Sequence, residues 1–297
     1  NAQIIVVDDG STDDTGVVAA QSGAKVIRLD QQSGQSVGRN IGVANAEADI
    51  VMFVDSDVVV AIDSVEKMLA LFRETDPEVS AAFGAYDDSP DAPGLTSQYR
   101  NLLHHFTHQV GARDASTFWS GCGAIRREVF EAVGGFNEDF YNGRVEDIEL
   151  GYRLKNLGHR IALDPTIQGK HLKAWTLWGM VKTDVFSRAI PWTRLLLEGA
   201  APKGDLNTGS AQKLCVAAVL LGGLCLVLSF IMPTLLFVSL ASLALVLIIN
   251  RDWFGFLARH RGLGFMFGAI PLHVLYYAYS GLAYAYVWLR MRSGWGY

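Results

Sequence analysis

Cysteine is scarce in this chain, with Cys122, Cys215 and Cys225 the only three in 297 residues. Three thiols make no disulfide framework, and two of them lie in a strongly apolar stretch. Charge is sparse as well, at 19% of residues, while half of the residues are hydrophobic. That balance excludes a disordered chain. Basic excess is absent: Lys and Arg number 25 against 30 Asp and Glu, a net charge of −5. Without a basic footprint the composition argues against a nucleic-acid partner. No signal-peptide pattern opens the chain, which begins on Asn1 rather than Met and runs straight into a strand. The chain is therefore expected to lack its original N-terminus. Its length allows about two domains.

What is present falls into three compositions. Residues 1–170 alternate short apolar runs with helical patterns, as an α/β domain does. Strands are expected at residues 4–7, 25–29, 50–54 and 79–85, with helices at 12–22 and 65–73 and a loop entering a helix over 34–46. This succession predicts a mainly parallel, Rossmann-like sheet covered by helices, with ligands at the carboxyl ends of its strands. Residues 171–212 interleave Lys173, Lys182, Arg188 and Arg194 with Trp175, Trp178, Phe186 and Trp192. Basic residues among large aromatics at helical spacing suggest helices lying in a membrane interface. A helix packed on the catalytic domain with a basic solvated face would share that pattern.

Residues 213–297 read as a membrane segment. No charged residue occurs from 214 to 249. As one helix that run would be about 54 Å long, against a hydrocarbon core of about 30 Å. A break at Met232-Pro233 gives two spans, 214–232 and 233–249, and 265–289 is a third candidate with Pro271 and His273 as interruptions. Arg251, Arg259 and Arg261 in the loop between them, weighed against Arg290 and Arg292, place that loop and the catalytic domain in the cytosol. The chain is thus expected to be a multi-pass membrane protein.

Three acidic clusters carry the chemistry. Asp55-Ser56-Asp57 ends a buried strand, and two carboxylates so spaced suit a divalent cation such as Mg²⁺ or Mn²⁺ that keeps substrate phosphates as further ligands. An acidic loop after a strand has the same residues. Asp8-Asp9-Gly10-Ser11 ends an earlier strand, as a turn or as part of an electronegative cleft. Glu146-Asp147 opens a helix, where the macrodipole favours negative charge. A carboxylate there stays ionised and can act as a general base. His104 and His108 have the i,i+4 spacing of a zinc pair, but no third ligand stands at suitable spacing.

Taken in order, Ile4-Ile5-Val6-Val7-Asp8-Asp9-Gly10-Ser11-Thr12-Asp13, Gly38-Arg39-Asn40-Ile41-Gly42, Asp55-Ser56-Asp57, Gly134-Gly135-Phe136 and Glu146-Asp147 resemble the family 2 glycosyltransferases. The resemblance covers residues 3 to about 175 and implies a GT-A fold and a nucleotide-sugar donor, UDP- or GDP-linked. It implies that Asp9 contacts the base, that Arg39 and Asn40 lie along the donor, and that Asp55 and Asp57 hold the diphosphate through a metal, mainly by Asp57. It implies Asp147 as catalytic base and His171 as a second metal ligand. Trp119, Cys122, Glu146 and Trp192 are placed on the acceptor side. The interfacial belt suggests an acceptor in the membrane, a lipid or lipid-linked glycan.

Two departures qualify the resemblance. Relatives begin with one more strand and helix, carrying a Pro-x-Tyr/Phe-Asn turn, and this chain starts after it. The Gln-x-x-Arg-Trp of processive synthases is replaced by Arg188-Ala189-Ile190-Pro191-Trp192-Thr193-Arg194, which argues against a cellulose- or chitin-type polymerase. A nucleotidyltransferase would share the acidic sheet but carry a Gly-rich phosphate loop, which is not visible. An inactive membrane-anchored scaffold would leave the clustered carboxylates unexplained, since without a metal they cost stability.

Overall fold

A computed structural model describes residues 2–75, 78–139, 144–200 and 209–293. They form two compact units. The first is built from residues up to Asp87 and from His108–His171; the second takes Asp88–Thr107, Leu172–Gly199 and the chain from residue 209 onward.

In the first unit the apolar runs become strands where expected: β1 (Ile5–Asp8), β2 (Lys25–Arg28), β3 (Ile50–Val54) and β5 (Val79–Tyr86). A short β4 (Val58–Val60) follows the D-x-D turn, and β6 (Cys122–Arg126) and β7 (Arg160–His171) complete the set. β1 and β2 form a separate parallel pair, and the other strands form one sheet in the order β3-β6-β5-β7-β4. Within it β5 and β7 are parallel, whereas β3 with β6, β5 with β6, and β4 with β7 are antiparallel. The five-stranded sheet is therefore mixed, with one parallel ladder at β5/β7, and β1/β2 is a second parallel pair outside it.

Helices cover both faces, which is why every residue of β5 is buried. Side chains alternate along the strands. Phe53, Ala81, Phe83 and Ile125 point to one core with Phe130, Leu150 and Leu154 from α5 (Arg127–Ala132) and α6 (Glu146–Asn156). Ala82, Cys122 and Ala124 point to the other, against Met68 of α3 (Ser64–Ala70) and Phe72 just beyond it. Two glycines here are required by close approach. A Cβ on Gly121 would lie 2.6 Å from the Trp119 ring, and one on Gly123 would lie 2.3 Å from the Trp119 carbonyl oxygen.

The second unit is helical. α4 (Leu95–Val110) contributes its first three turns, Tyr99 and Leu102 packing with Trp175, Met180, Trp253 and Leu257. Residues 177–197 are one continuous helical stretch, α7 (Leu177–Lys182) and α8 (Ile190–Leu197) joined by wider π turns at Thr183–Ala189. Then come α9 (Ser210–Leu228), α10 (Leu235–Ile249) and α11 (Arg251–Arg292). The helix is interrupted around Met232-Pro233, between α9 and α10.

Three expectations differ. The arginines from 251 to 261 stand on a helix, not a loop, and the break falls at Gly262, whose φ of 83° only glycine adopts readily. Pro271 and His273 do not interrupt the helix. Of the three expected spans, only α9 passes as a single helix, with 19 residues and a hydropathy of 2.1 in its most apolar window. α10 has 15 residues, fewer than the ~20 a bilayer needs, and qualifies only jointly with α11, across a bend of 69°. One helix is long and apolar enough to cross a membrane, or two if the bent pair counts as one.

Candidate active site

Arg39 is the centre of the site. It sits on α2 (Gln35–Ala44), which follows β2 and packs on β1. Its Nη2 donates to Asp55 Oδ1 at 2.7 Å and its Nη1 to Glu146 Oε1 at 2.5 Å. One guanidinium thereby joins the end of β3 to the start of α6. The side chain is only 16% exposed, so the carboxylates face it in a low dielectric where such hydrogen bonds are strong. Its other face covers the Phe136 ring, 5.5 Å from the centroid.

Glu146 is 2% exposed and also accepts from Gln35 Nε2 at 2.6 Å. Burial, with the neighbouring charge of Asp147 adding to it, pushes its carboxyl up to about 7 against the pull of Arg39. Asp147 is half-buried at the first turn of α6 and accepts from the Ile148 N–H at 2.8 Å. The residue before the pair, Val145, has a φ of 53° and a ψ of 24°. A β-branched residue in the left-handed region is strained, and such strain gathers at functional sites.

Asp57 and His171 meet at the edge of the sheet. Val58 pairs with His171 across β4 and β7, and His171 Nε2 lies 3.3 Å from Asp57 Oδ2. The imidazole is stacked on Tyr86, centroids 4.5 Å apart, and Tyr86 meets Trp119 edge-on at 4.7 Å. A carboxylate and an imidazole so placed fit a divalent cation that takes one or two protein ligands and completes its shell with phosphate and water. Among the described residues no group of three or more His, Cys, Asp or Glu is arranged for a metal, so a closed all-protein site, zinc included, is not formed.

Two expected contact residues are occupied by internal bonds, and a third is closed off by burial. Asp9 accepts from the Ser33 and Gly34 N–H groups, at 2.6 and 2.9 Å, bracing the loop before α2. Asn40 donates to the Phe136 carbonyl and to Glu138 while its Oδ1 accepts from the Phe136 N–H, so it clamps the Gly134-Gly135-Phe136 turn. Cys122 is fully buried and burial pushes its thiol up to about 11; it is a small core residue with no face toward an acceptor. Trp192 belongs to the second unit, half-buried on α8. Gln35 and Tyr86 were not legible as site residues. Neither belongs to a recognisable pattern, and Gln35 reaches a partner 111 residues away.

Residues 1–134 match the family model described as "Glycosyl transferase family 2", and residues 100–174 match one described as "N-terminal domain of galactosyltransferase". The chain is 28% identical over 218 residues to the O-antigen chain rhamnosyltransferase WbaN of Salmonella anatum, covering 68% of each. It is 29% identical over 174 residues to a pre-mycofactocin glycosyltransferase of Mycobacterium tuberculosis, covering 55% of this chain and 36% of that protein. Among solved structures, a mannosyltransferase from Pyrobaculum calidifontis in complex with GDP-Man and Mn²⁺ superposes with a TM-score of 0.56 at 18% identity, covering 95% of this chain and 76% of that one. At that identity the likeness establishes the fold.

Proposed function

From the family model matched over residues 1–134 and the fold shared with a solved mannosyltransferase, we propose that this chain is a family 2 glycosyltransferase of GT-A fold that uses a nucleotide-sugar donor in a metal-dependent, inverting transfer to a membrane acceptor. The donor is UDP- or GDP-linked, and the acceptor is a hydroxyl on a lipid or lipid-linked glycan. The observation that carries this reading is the Arg39 bridge. By holding Asp55 and Glu146 at one guanidinium, it sets the D-x-D carboxylates and the Glu-Asp pair around one place in the first unit.

Asp147 is the base. It takes the proton of the acceptor hydroxyl as that oxygen bonds to the anomeric carbon, and the bond from the anomeric carbon to the diphosphate breaks on the opposite face. The electron pair leaves with the nucleoside diphosphate. Asp57 and His171 would hold a divalent cation, Mn²⁺ or Mg²⁺, which would offset charge on the diphosphate. Glu146 and Gln35 keep Arg39 in place, and Asp9 and Asn40 support the donor side by fixing the loops around it. Membrane attachment is supported by α9.

The test is release of nucleoside diphosphate from a panel of UDP- and GDP-sugars with and without EDTA. At least one donor should be turned over only with Mn²⁺ or Mg²⁺, and Asp57→Ala should abolish that turnover and weaken donor binding. Full activity in EDTA, or normal donor binding and turnover by the variant, rules out the metal site.

A further inference from the structure

We propose that the outward face of residues 172–186 lies in the headgroup region of a bilayer and is a docking surface for anionic lipid. The proposal rests on the membrane reading above only for the presence of a bilayer; the surface itself stands on which side chains the second unit turns outward.

Burial along this segment runs opposite to that of a helix facing water. The helical stretch 177–197 turns Met180, Asp184, Thr193 and Leu195 inward. Asp184 is held there by Arg100 at 2.5 Å, both side chains buried. Outward stand Leu177, Trp178, which is 71% exposed, and Phe186, at 52%, with Leu172 exposed just before the stretch. A charged pair is thus inside while an indole and a phenyl ring are outside. In water that arrangement is unfavourable twice over, since a buried charge pair is costly to desolvate and exposed aromatic area forgoes hydrophobic burial. Against lipid the second cost disappears.

Local hydrogen bonds fix which face is which. Thr176 caps the stretch, its Oγ1 accepting from the Gly179 N–H at 3.0 Å. The buried Trp175 donates through its backbone N–H to Ser97 Oγ at 2.7 Å and through Nε1 to Asn101 Oδ1 at 3.3 Å, both on α4. With Trp175 held inward on one side of it and Asp184 on the other, Trp178 keeps its outward position.

The charges choose the kind of lipid. Of the basic residues in this region, Arg194 is paired with Glu198 at 2.5 Å and Arg188 is half-buried, whereas Lys173 and Lys182 are exposed. Lys173 Nζ stands over the Trp175 ring, 4.4 Å from its centroid. Lys182 comes four residues after Trp178 and four before Phe186. Asp184 is the one acidic residue from 172 to 186, and it faces inward, so the outward face carries positive charge alone. Large aromatics interleaved with lysines match the headgroup boundary, where rings sit among the headgroups and ammonium groups reach up to anionic phosphates. The same unit contains α9, the helix long and apolar enough by itself to cross a bilayer.

The test places a nitroxide on the full chain in nanodiscs of phosphatidylcholine, with and without phosphatidylglycerol. The three native thiols are buried, so a label at Trp178→Cys or Phe186→Cys reports from that position. Leu224→Cys on α9 and Leu157→Cys in the first unit, both exposed, are the references. Accessibility to oxygen, which concentrates in lipid, is measured against accessibility to a neutral nickel chelate, which stays in water. The oxygen-to-nickel ratio at 178 and 186 should lie several-fold above that at 157 and below that at 224. It should rise when phosphatidylglycerol is included, and Lys173→Gln with Lys182→Gln should remove the rise. A ratio at 178 and 186 equal to that at 157, with 224 still high, overturns the surface and leaves membrane attachment standing. A low ratio at 224 as well contradicts both. Labels at 178 and 186 shielded from both reagents mean that protein covers the face, which overturns the lipid occupant, and a ratio indifferent to phosphatidylglycerol overturns the anionic one. None of these measurements needs turnover, so failure of the transfer reaction would be seen separately.

Discussion

The two units distribute polarity in opposite ways. In the first, apolar residues fill both faces of the sheet, and charged groups gather at the strand ends, where Arg39 meets Asp55 and Glu146. In the second, large apolar side chains stand outside: Phe230 is 91% exposed, Ile231 85% and Phe237 76%. Polar groups lie within: Arg100 with Asp184 and Tyr279, and Asn250 accepting from Tyr277 and hydrogen-bonded to His273. Contiguous exposed apolar surface is costly in water and neutral in lipid. The same chain therefore carries two solutions to burial, and a lost polar partner should be felt as lost chemistry in one unit and lost structure in the other.

The largest structural effect should come from breaking the buried pair in the second unit. Asp184→Ala leaves Arg100 charged and unpaired and is expected to cost about 3–5 kcal/mol. The double variant Arg100→Met, Asp184→Leu should recover most of that. Thermal unfolding in detergent checks both, and an Asp184→Ala variant as stable as wild type would erase the contrast.

A smaller effect should appear in the first unit as a dependence on pH. The Glu146 carboxyl titrates near 7 when folded, against 4.5 in an open chain, because burial resists its charge. The folded state binds the extra proton between these values, so its stability is full at the acid end and falls as pH rises through about 7. Glu146→Gln should remove that slope, on the order of 1–3 kcal/mol between about pH 5 and pH 8. Gln35→Leu, which takes a hydrogen bond from the carboxylate, should move the midpoint slightly upward. Urea unfolding at the two pH values measures both; a wild type with no slope would contradict the assigned environment of Glu146.

Much of the first unit was legible because its strands are continuous apolar runs: residues 50–54 were expected as a strand, and β3 is Ile50–Val54. β7 was not. Asp164-Pro165 reads as a turn, yet the strand continues past it, absorbing the irregularity as a register shift against Phe83 and Ala85. The site residues were legible as types in a pattern, less so as roles. Asn40 and Asp9 stand where the pattern puts them, but their hydrogen bonds run to loop backbone, and no local signal distinguishes a residue that touches a ligand from one that holds the loop that does. Gln35 had no signal at all, since its partner Glu146 lies 111 residues away and only the fold brings the two together. The second unit shows the same limit: hydropathy marks the outside of its helices, while the pairing of Arg100 with Asp184 depends on which helix faces lie together.

The central claim is that Asp147 acts on the acceptor while Asp55, Asp57 and Arg39 serve the donor, and Asp147→Asn tests it most directly. The substitution keeps the shape and removes the basicity. Donor binding, measured by calorimetry in Mn²⁺ or Mg²⁺, should match wild type, while kcat for transfer falls about 10²–10⁴-fold, with kcat/KM falling alike, as for a base needed only in the transition state. Transfer at the wild-type rate, or a variant whose main defect is loss of donor binding, would contradict the account and move the search for the base to Glu146.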